Sequence, residues 1–277
     1  MNSVYARNNL LAWCIVPFDA RRRDPEERAA MLRRLGIGAL AYDWRDEHIA
    51  TVDRELAALQ DHGIRLDAFW LNGGFPPDPQ GARQDRYYRP VLEFIERHDL
   101  HLEVWKHFQG AEFDHLDDPA ARYDAGAAQL DVLAGLFNGV GCTLGLYNHG
   151  HWGGEPGAMV ELARRLAHRD VGIVYNFHHG HEHLPLMPDA FEAMRPHLLC
   201  VNLSGMTPGG EKILPLGRGE RDLEMLRLVK DSGYDGPVGI LDHRPETDAE
   251  DSLRQNLDGL HGLLEEMGDP AAATYAS

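Results

Sequence analysis

Thr143-Leu-Gly-Leu-Tyr-Asn-His-Gly-His-Trp152 and its echo, Val171-Gly-Ile-Val-Tyr-Asn-Phe-His-His-Gly-His181, decide how this chain is read. Each begins as a short apolar run and ends in Tyr-Asn followed by histidine and glycine. Short apolar runs suit strands buried on both faces. The polar clusters then fall at the strand ends, where parallel α/β sheets and barrels bind their ligands. The two stretches are therefore expected to bring Asn148, His149, Asn176, His178 and His179 to one pocket.

Working outward, apolar runs recur at residues 11–16, 37–42, 66–71, 100–105, 198–203 and 238–241, besides 143–147 and 171–175. Amphipathic stretches lie between them. Asp24-Pro25-Glu26-Glu27 reads as an N-cap, a proline at the first helical position and acids in the first turn. That helix is expected to stop at Gly36. A later one spans residues 220–230, carries Leu223, Leu226 and Leu228, and stops near Gly233. The last places Leu253, Leu257, Leu260 and Leu264 on one stripe. Alternating strands and helices imply right-handed βαβ units and a parallel sheet. Eight units over 277 residues leave about 35 each, the size of a barrel repeat. The expected fold is a single-domain (β/α)8 TIM barrel over residues 1–277. An open doubly wound sheet is the alternative, disfavoured because no Gly-x-Gly-x-x-Gly follows the first strand. The tail after Gly268 reads as frayed.

Lys and Arg number 27 against 44 Asp and Glu, a net charge of −17. Nucleic acid and anionic membrane surfaces are poor partners for such a surface. No run is long enough to span a bilayer, and the N-terminus lacks an apolar signal core. The expected location is the cytoplasm, or outside it after removal of a leader this sequence does not contain. Oligomeric state, a homo-oligomer included, is left open. Cys14, Cys142 and Cys200 have no paired spacing and read as buried free thiols.

Each expected strand ends in polar residues: Pro17-Phe18-Asp19, Asp43-Trp44-Arg45, Asn72-Gly73-Gly74, Lys106-His107, Asn202-Leu203-Ser204 and Asp242-His243-Arg244 complete the ring. Seven of the 16 histidines (His149, His151, His178, His179, His181, His183 and His243) follow three of the strands. Imidazole suits proton transfer near neutrality and also binds metals. His149 and His179, nearest the strand ends, are the expected catalytic pair, with His181 and His183 covering the site. Glu103 is either a site residue or half of a core ion pair. Lys106 either polarises a carbonyl or binds a carboxylate, or makes a surface salt bridge. Gly209, Gly210 and Lys212 either cradle an anion or form a plain turn. Trp44, Trp70, Trp105 and Trp152 sit near strand ends, for sugar stacking or for packing.

Leu146-Tyr-Asn-His-Gly150, Asn176-Phe-His-His179 and Ser232-Gly-Tyr-Asp-Gly-Pro-Val238 resemble the xylose isomerase-like barrels, a superfamily of sugar isomerases, epimerases, dehydratases and lyases with a DNA-repair branch. The resemblance implies a divalent metal held by Glu, Asp, His and Glu after the last four strands. Here those places hold Tyr147, Asn176, Asn202 and Leu241, or Asp242 if the register slips by one. Magnesium and manganese sites normally need carboxylates. With those carboxylates missing, the expectation departs from the resemblance to a metal-free sugar isomerase, epimerase or lyase. His149 and His179 would be its acid/base pair, and Lys106 or His243 would polarise the carbonyl. Asn148, Asn176 and Asn202 would hold hydroxyls, with Glu103, Trp152 and Lys212 also contacting the sugar. A softer metal such as zinc among His149, His179 and His243, or manganese, is the alternative cofactor. A carbohydrate-binding barrel without chemistry is the alternative function.

Overall fold

The structure, a computed structural model, describes residues 3–275. Eight parallel strands close into a ring in chain order. They are β1 (Leu10–Trp13), β2 (Ala39–Trp44), β3 (Arg65–Leu71), β4 (Glu103–His107), β5 (Thr143–Tyr147), β6 (Gly172–Asn176), β7 (Leu198–Leu203) and β8 (Val238–Leu241). The ring closes where Trp13 pairs with Leu241. Around it lie α1 (Pro25–Leu35), α2 (Val52–Asp61), α3 (Pro79–Gln84), α4 (Tyr88–His98), α5 (Pro119–Asn138), α6 (Pro156–Arg165), α7 (Met187–Met194), α8 (Asp222–Asp231) and α9 (Ala249–Met267). The fold is the expected (β/α)8 barrel.

The helix boundaries follow the local chemistry. Asp24 accepts from the Glu27 backbone while Glu27 reaches back to the Asp24 N–H, a reciprocal cap with Pro25 inside it. Gly36 ends α1 at φ +67°, where a side chain would be strained. In α9 the leucine stripe is buried against the barrel, between an Asp248 cap and a left-handed Gly268.

Two apolar layers result. The larger joins the outer strand faces to the helices. The smaller fills the barrel, where the bulky Trp13, Trp105 and Tyr147 interlock with the small Ala39, Ala41 and Ala68. Trp13 meets Trp105 edge-on at 5.1 Å between ring centroids and Tyr147 at 5.9 Å. Large faces small because the strand number fixes the interior width.

Some boundaries differ from the sequence reading. β1 stops at Trp13 because Cys14 takes φ +56° and turns the chain. β2 continues to Trp44, and β4 starts at Glu103 and includes His107. The β3 connection holds two helices, α3 and α4, rather than one. The tail is not frayed through Tyr275. Pro270–Thr274 forms a 3-10 turn capped by Asp269, and the Tyr275 hydroxyl donates to the Tyr5 carbonyl at 2.7 Å.

Candidate active site

The C-terminal rim of the barrel opens into a cavity of about 350 Å³. Residues from the ends of β1 to β6 and β8 line it, among them Trp13, Asp43, Trp70, His107, Tyr147, His149, His179 and His243. Strand alternation explains the selection at β4. Glu103, Trp105 and His107 share the inward face, so His107 reaches the cavity above Trp105.

The imidazoles form a chain across the mouth. His107 lies 5.4 Å from His149 between centroids, His149 4.6 Å from His179, and His179 4.0 Å from His178. His178 is 5.9 Å from His243, which stacks on Phe18 at 4.0 Å. Burial, then the neighbouring His149 and Lys212 charges, pushes His179 down to about 2. Burial and the Lys106 charge bring His107 to about 3, and burial with Lys212 brings His243 to about 4. His149 is lowered by the same two causes. The cluster is therefore neutral at pH 7, so each ring offers one N–H donor and one acceptor. His178 is 1% exposed, and neither ring nitrogen has a hydrogen-bond partner.

Asn148 and Asn176 do meet, as the two opening stretches require, but they face each other. Asn148 Oδ1 accepts from the Asn176 backbone at 2.7 Å and from its Nδ2 at 2.8 Å, and Asn148 Nδ2 donates to the Asn176 carbonyl at 3.1 Å. Asn202 Nδ2 donates to Asn176 Oδ1 at 2.6 Å. All three are at most 1% exposed, and none lines the cavity. They tie β5, β6 and β7 together beneath the rim connections.

The remaining expected site residues fall outside the cavity lining. Lys106 is on the outward face of β4, 1% exposed, with Nζ 4.6 Å from the Phe75 ring centroid. Burial lowers it to about 8. Glu103 sits at the start of β4, away from the rim, and accepts from Trp105 Nε1 at 2.7 Å; burial raises it to about 7. Trp152 donates to the Gly110 carbonyl at 2.8 Å and packs edge-on against Phe108 and Tyr123. Lys212 is exposed, and its charge still lowers four imidazoles, because Ser204 and Gly205 hold the Leu214 carbonyl and fold the loop over the barrel. His181 and His183 are engaged with the Thr207 carbonyl and the Tyr175 hydroxyl.

Asp43, Arg45, Asn72 and His107, read from the sequence as polar strand ends without an assigned role, line the cavity, and so does Gln109, which the sequence reading did not name. An acid inside an otherwise apolar run, Ala39-Leu-Ala-Tyr-Asp-Trp44, was the available signal. Burial raises Asp43 to about 6 against the opposing Arg45 charge.

No family model matches the chain, and no curated protein sequence matches it. Solved structures do match. A 3-keto-D-glucoside 4-epimerase from E. coli is 16% identical, with 93% of this chain and 99% of that one covered and a TM-score of 0.65. A D-tagatose 3-epimerase-like protein is 14% identical over 94% and 98% of the chains, at 0.69. A xylose isomerase-like protein from Mycobacterium smegmatis, in complex with magnesium, is 16% identical over the whole of both chains, at 0.59. The fold is that of the xylose isomerase-like barrels.

Whether this barrel suits a hard divalent metal is a question of donors. Tyr147 is held a neutral phenol by burial, its oxygen 3.4 Å from Trp13 Nε1. The Asn176 and Asn202 oxygens already accept, from Asn202 and from Cys200 Sγ. Leu241 offers no donor, and Asp242 Oδ1 takes Arg244. Among the described residues no group of three or more His, Cys, Asp or Glu is placed to hold a metal. These donors do not fit magnesium or manganese.

Proposed function

We propose that this protein is an enzyme of the sugar isomerase/epimerase type, working on a keto-sugar at the rim cavity. The observation that carries the reading is the neutral imidazole pair His149 and His179, 4.6 Å apart on the cavity wall. Such a pair relays a proton between two oxygens: one ring takes a hydroxyl proton as its neighbour gives one to a carbonyl oxygen. Lys212 supplies positive charge and neutral His243 a polarising N–H beside the carbonyl oxygen. The sugar-epimerase names of two structural neighbours favour a sugar over other carbonyl compounds.

The cavity dimensions suit a monosaccharide, with Trp70 offering a ring face and Asn72 and Gln109 offering amides for hydroxyls. The test is proton NMR in heavy water with D-fructose, D-tagatose and D-psicose, alongside calorimetry. The wild type incorporates deuterium next to the carbonyl and forms a new sugar; His179→Ala loses both at an unchanged melting temperature. Binding without exchange or product from any of the sugars would make the protein a carbohydrate-binding barrel instead.

A further inference from the structure

The cavity carries one acid. Asp43 is the sole carboxylate among its described lining residues. It is 2% exposed; Oδ1 accepts weakly from Arg45 Nη2 at 3.4 Å, and Oδ2 is buried with no partner. Arg45 lies across Phe18 and Trp70, 5.5 and 5.8 Å from their centroids, and its Nε is also buried unpartnered. An unmatched carboxylate oxygen and an unmatched guanidinium N–H are costly in a closed site. Both are complementary to a bound sugar, one accepting and one donating. Across the ring from β2, His149 and His179 follow β5 and β6 and are hydrogen-bond donors rather than acids able to protonate carbon.

We propose that Asp43 is the base that takes the carbon-bound proton, and that the reaction is a one-face 1,2-proton shift between a ketose and an aldose. This rests on the reading of the cavity as a sugar isomerase site. The Asp43 carboxylate removes the proton from the hydroxyl-bearing carbon beside the carbonyl. The C–H electron pair becomes the C=C bond, and the carbonyl π pair moves to its oxygen, giving an enediolate held by Arg45 and an imidazole N–H. The adjoining hydroxyl passes its proton through His149 and His179 to that oxyanion. The new oxyanion collapses to a carbonyl, and the C=C pair takes the proton back from Asp43 at the neighbouring carbon. Every proton and electron pair is returned, and no cofactor enters. Inversion at one carbon would need a second carbon acid on the opposite face, which the lining lacks.

The test compares the wild type with Asp43→Asn and Asp43→Glu, following D-fructose and D-glucose by NMR in heavy water and their binding by calorimetry. Asp43→Asn should lower kcat by roughly 100-fold or more with the sugar Kd within a few-fold, and Asp43→Glu should recover part of the rate. Deuterium should enter the aldose at C2 and the ketose at C1. Full exchange in Asp43→Asn would overturn the proposal and leave the isomerase reading standing. Epimers at C3 instead of the aldose–ketose pair would overturn the one-face shift. No exchange in the wild type with any sugar would remove the isomerase reading and this proposal with it.

Discussion

Gly239→Ala tests how tightly the barrel depends on its asparagine chain. Gly239 in β8 pairs with Asn202 in β7. A methyl built there would overlap Asn202 Oδ1 and stand 2.8 Å from its Cγ. The backbone is not left-handed, so the substitution brings no dihedral strain and a small gain from a stiffer unfolded chain, about 0.5 kcal/mol. Asn202 must therefore rotate or β8 must shift. Rotation breaks the 2.6 Å bond to Asn176 Oδ1, and both asparagines are 0% exposed. Stranding two buried polar groups costs about 1–3 kcal/mol each, and overpacking alone costs a similar amount. The net expectation is a loss of about 3 kcal/mol, or about 6–12 °C in melting temperature for a chain of this size. Urea denaturation of Gly239→Ala, Asn202→Ala and the double variant measures it. The double variant should lose less than the sum, because removing the Asn202 side chain relieves the overlap. A loss below about 0.5 kcal/mol for Gly239→Ala, or strict additivity, would refute the reasoning.

Two further outcomes follow from buried titratable groups. His179 is pushed from the ordinary histidine range to about 2 in the folded protein, so between that value and about 6.5 the unfolded state binds a proton that the folded state does not. Its contribution is thus present above pH 6.5 and lost as pH falls; His179→Gln should gain about 2 kcal/mol on wild type between pH 7.5 and pH 5, read from denaturation curves at both. The Arg28–Glu55 pair is buried between α1 and α2, with Arg28 Nε and Glu55 Oε1 unpartnered. Glu55→Ala should cost about 3–5 kcal/mol by leaving the guanidinium unpaired, whereas the double variant Arg28→Met with Glu55→Leu should recover most of it; equal losses in the two would discard the pair as the cause.

The barrel was legible because each unit repeats one signal, an apolar run closed by polar residues, and because the caps at Asp24, Gly36 and Gly268 obey local rules. The strand ends shifted where one backbone torsion decides, as at Cys14, since composition does not announce a left-handed residue. The histidine half of the cavity was legible for the same reason as the strands: His149 and His179 stand at corresponding ends of β5 and β6. Lys106 was not, because its placement depends on which strand face turns inward, and one residue of register exchanges it with His107. The asparagines were expected to point at a ligand. They point at one another because neighbouring strands bring their amides within reach, and an amide both donates and accepts.

That exchange of partners also bears on why amides rather than carboxylates stand at positions 176 and 202. A carboxylate at position 176 would lack the N–H that the Asn148 oxygen receives, and one at 202 would lack the N–H given to Asn176. The asparagine chain and a carboxylate cluster are therefore alternatives for the same interior. With the chain in place, negative charge near the rim is left to Asp43 alone among the cavity residues, and positive charge to Arg45, with Lys212 acting from the loop above. His149, His179 and His243 stay neutral between them because burial and Lys212 both oppose protonation. A negative oxygen placed beside the rings would relieve that opposition, since it favours their N–H donors and their protonated forms alike. The interior packing and the charge of the cavity are in this way one arrangement: the amides that tie the ends of β5, β6 and β7 to one another leave Asp43, Arg45 and the neutral imidazoles as the ionisable groups of the cavity lining.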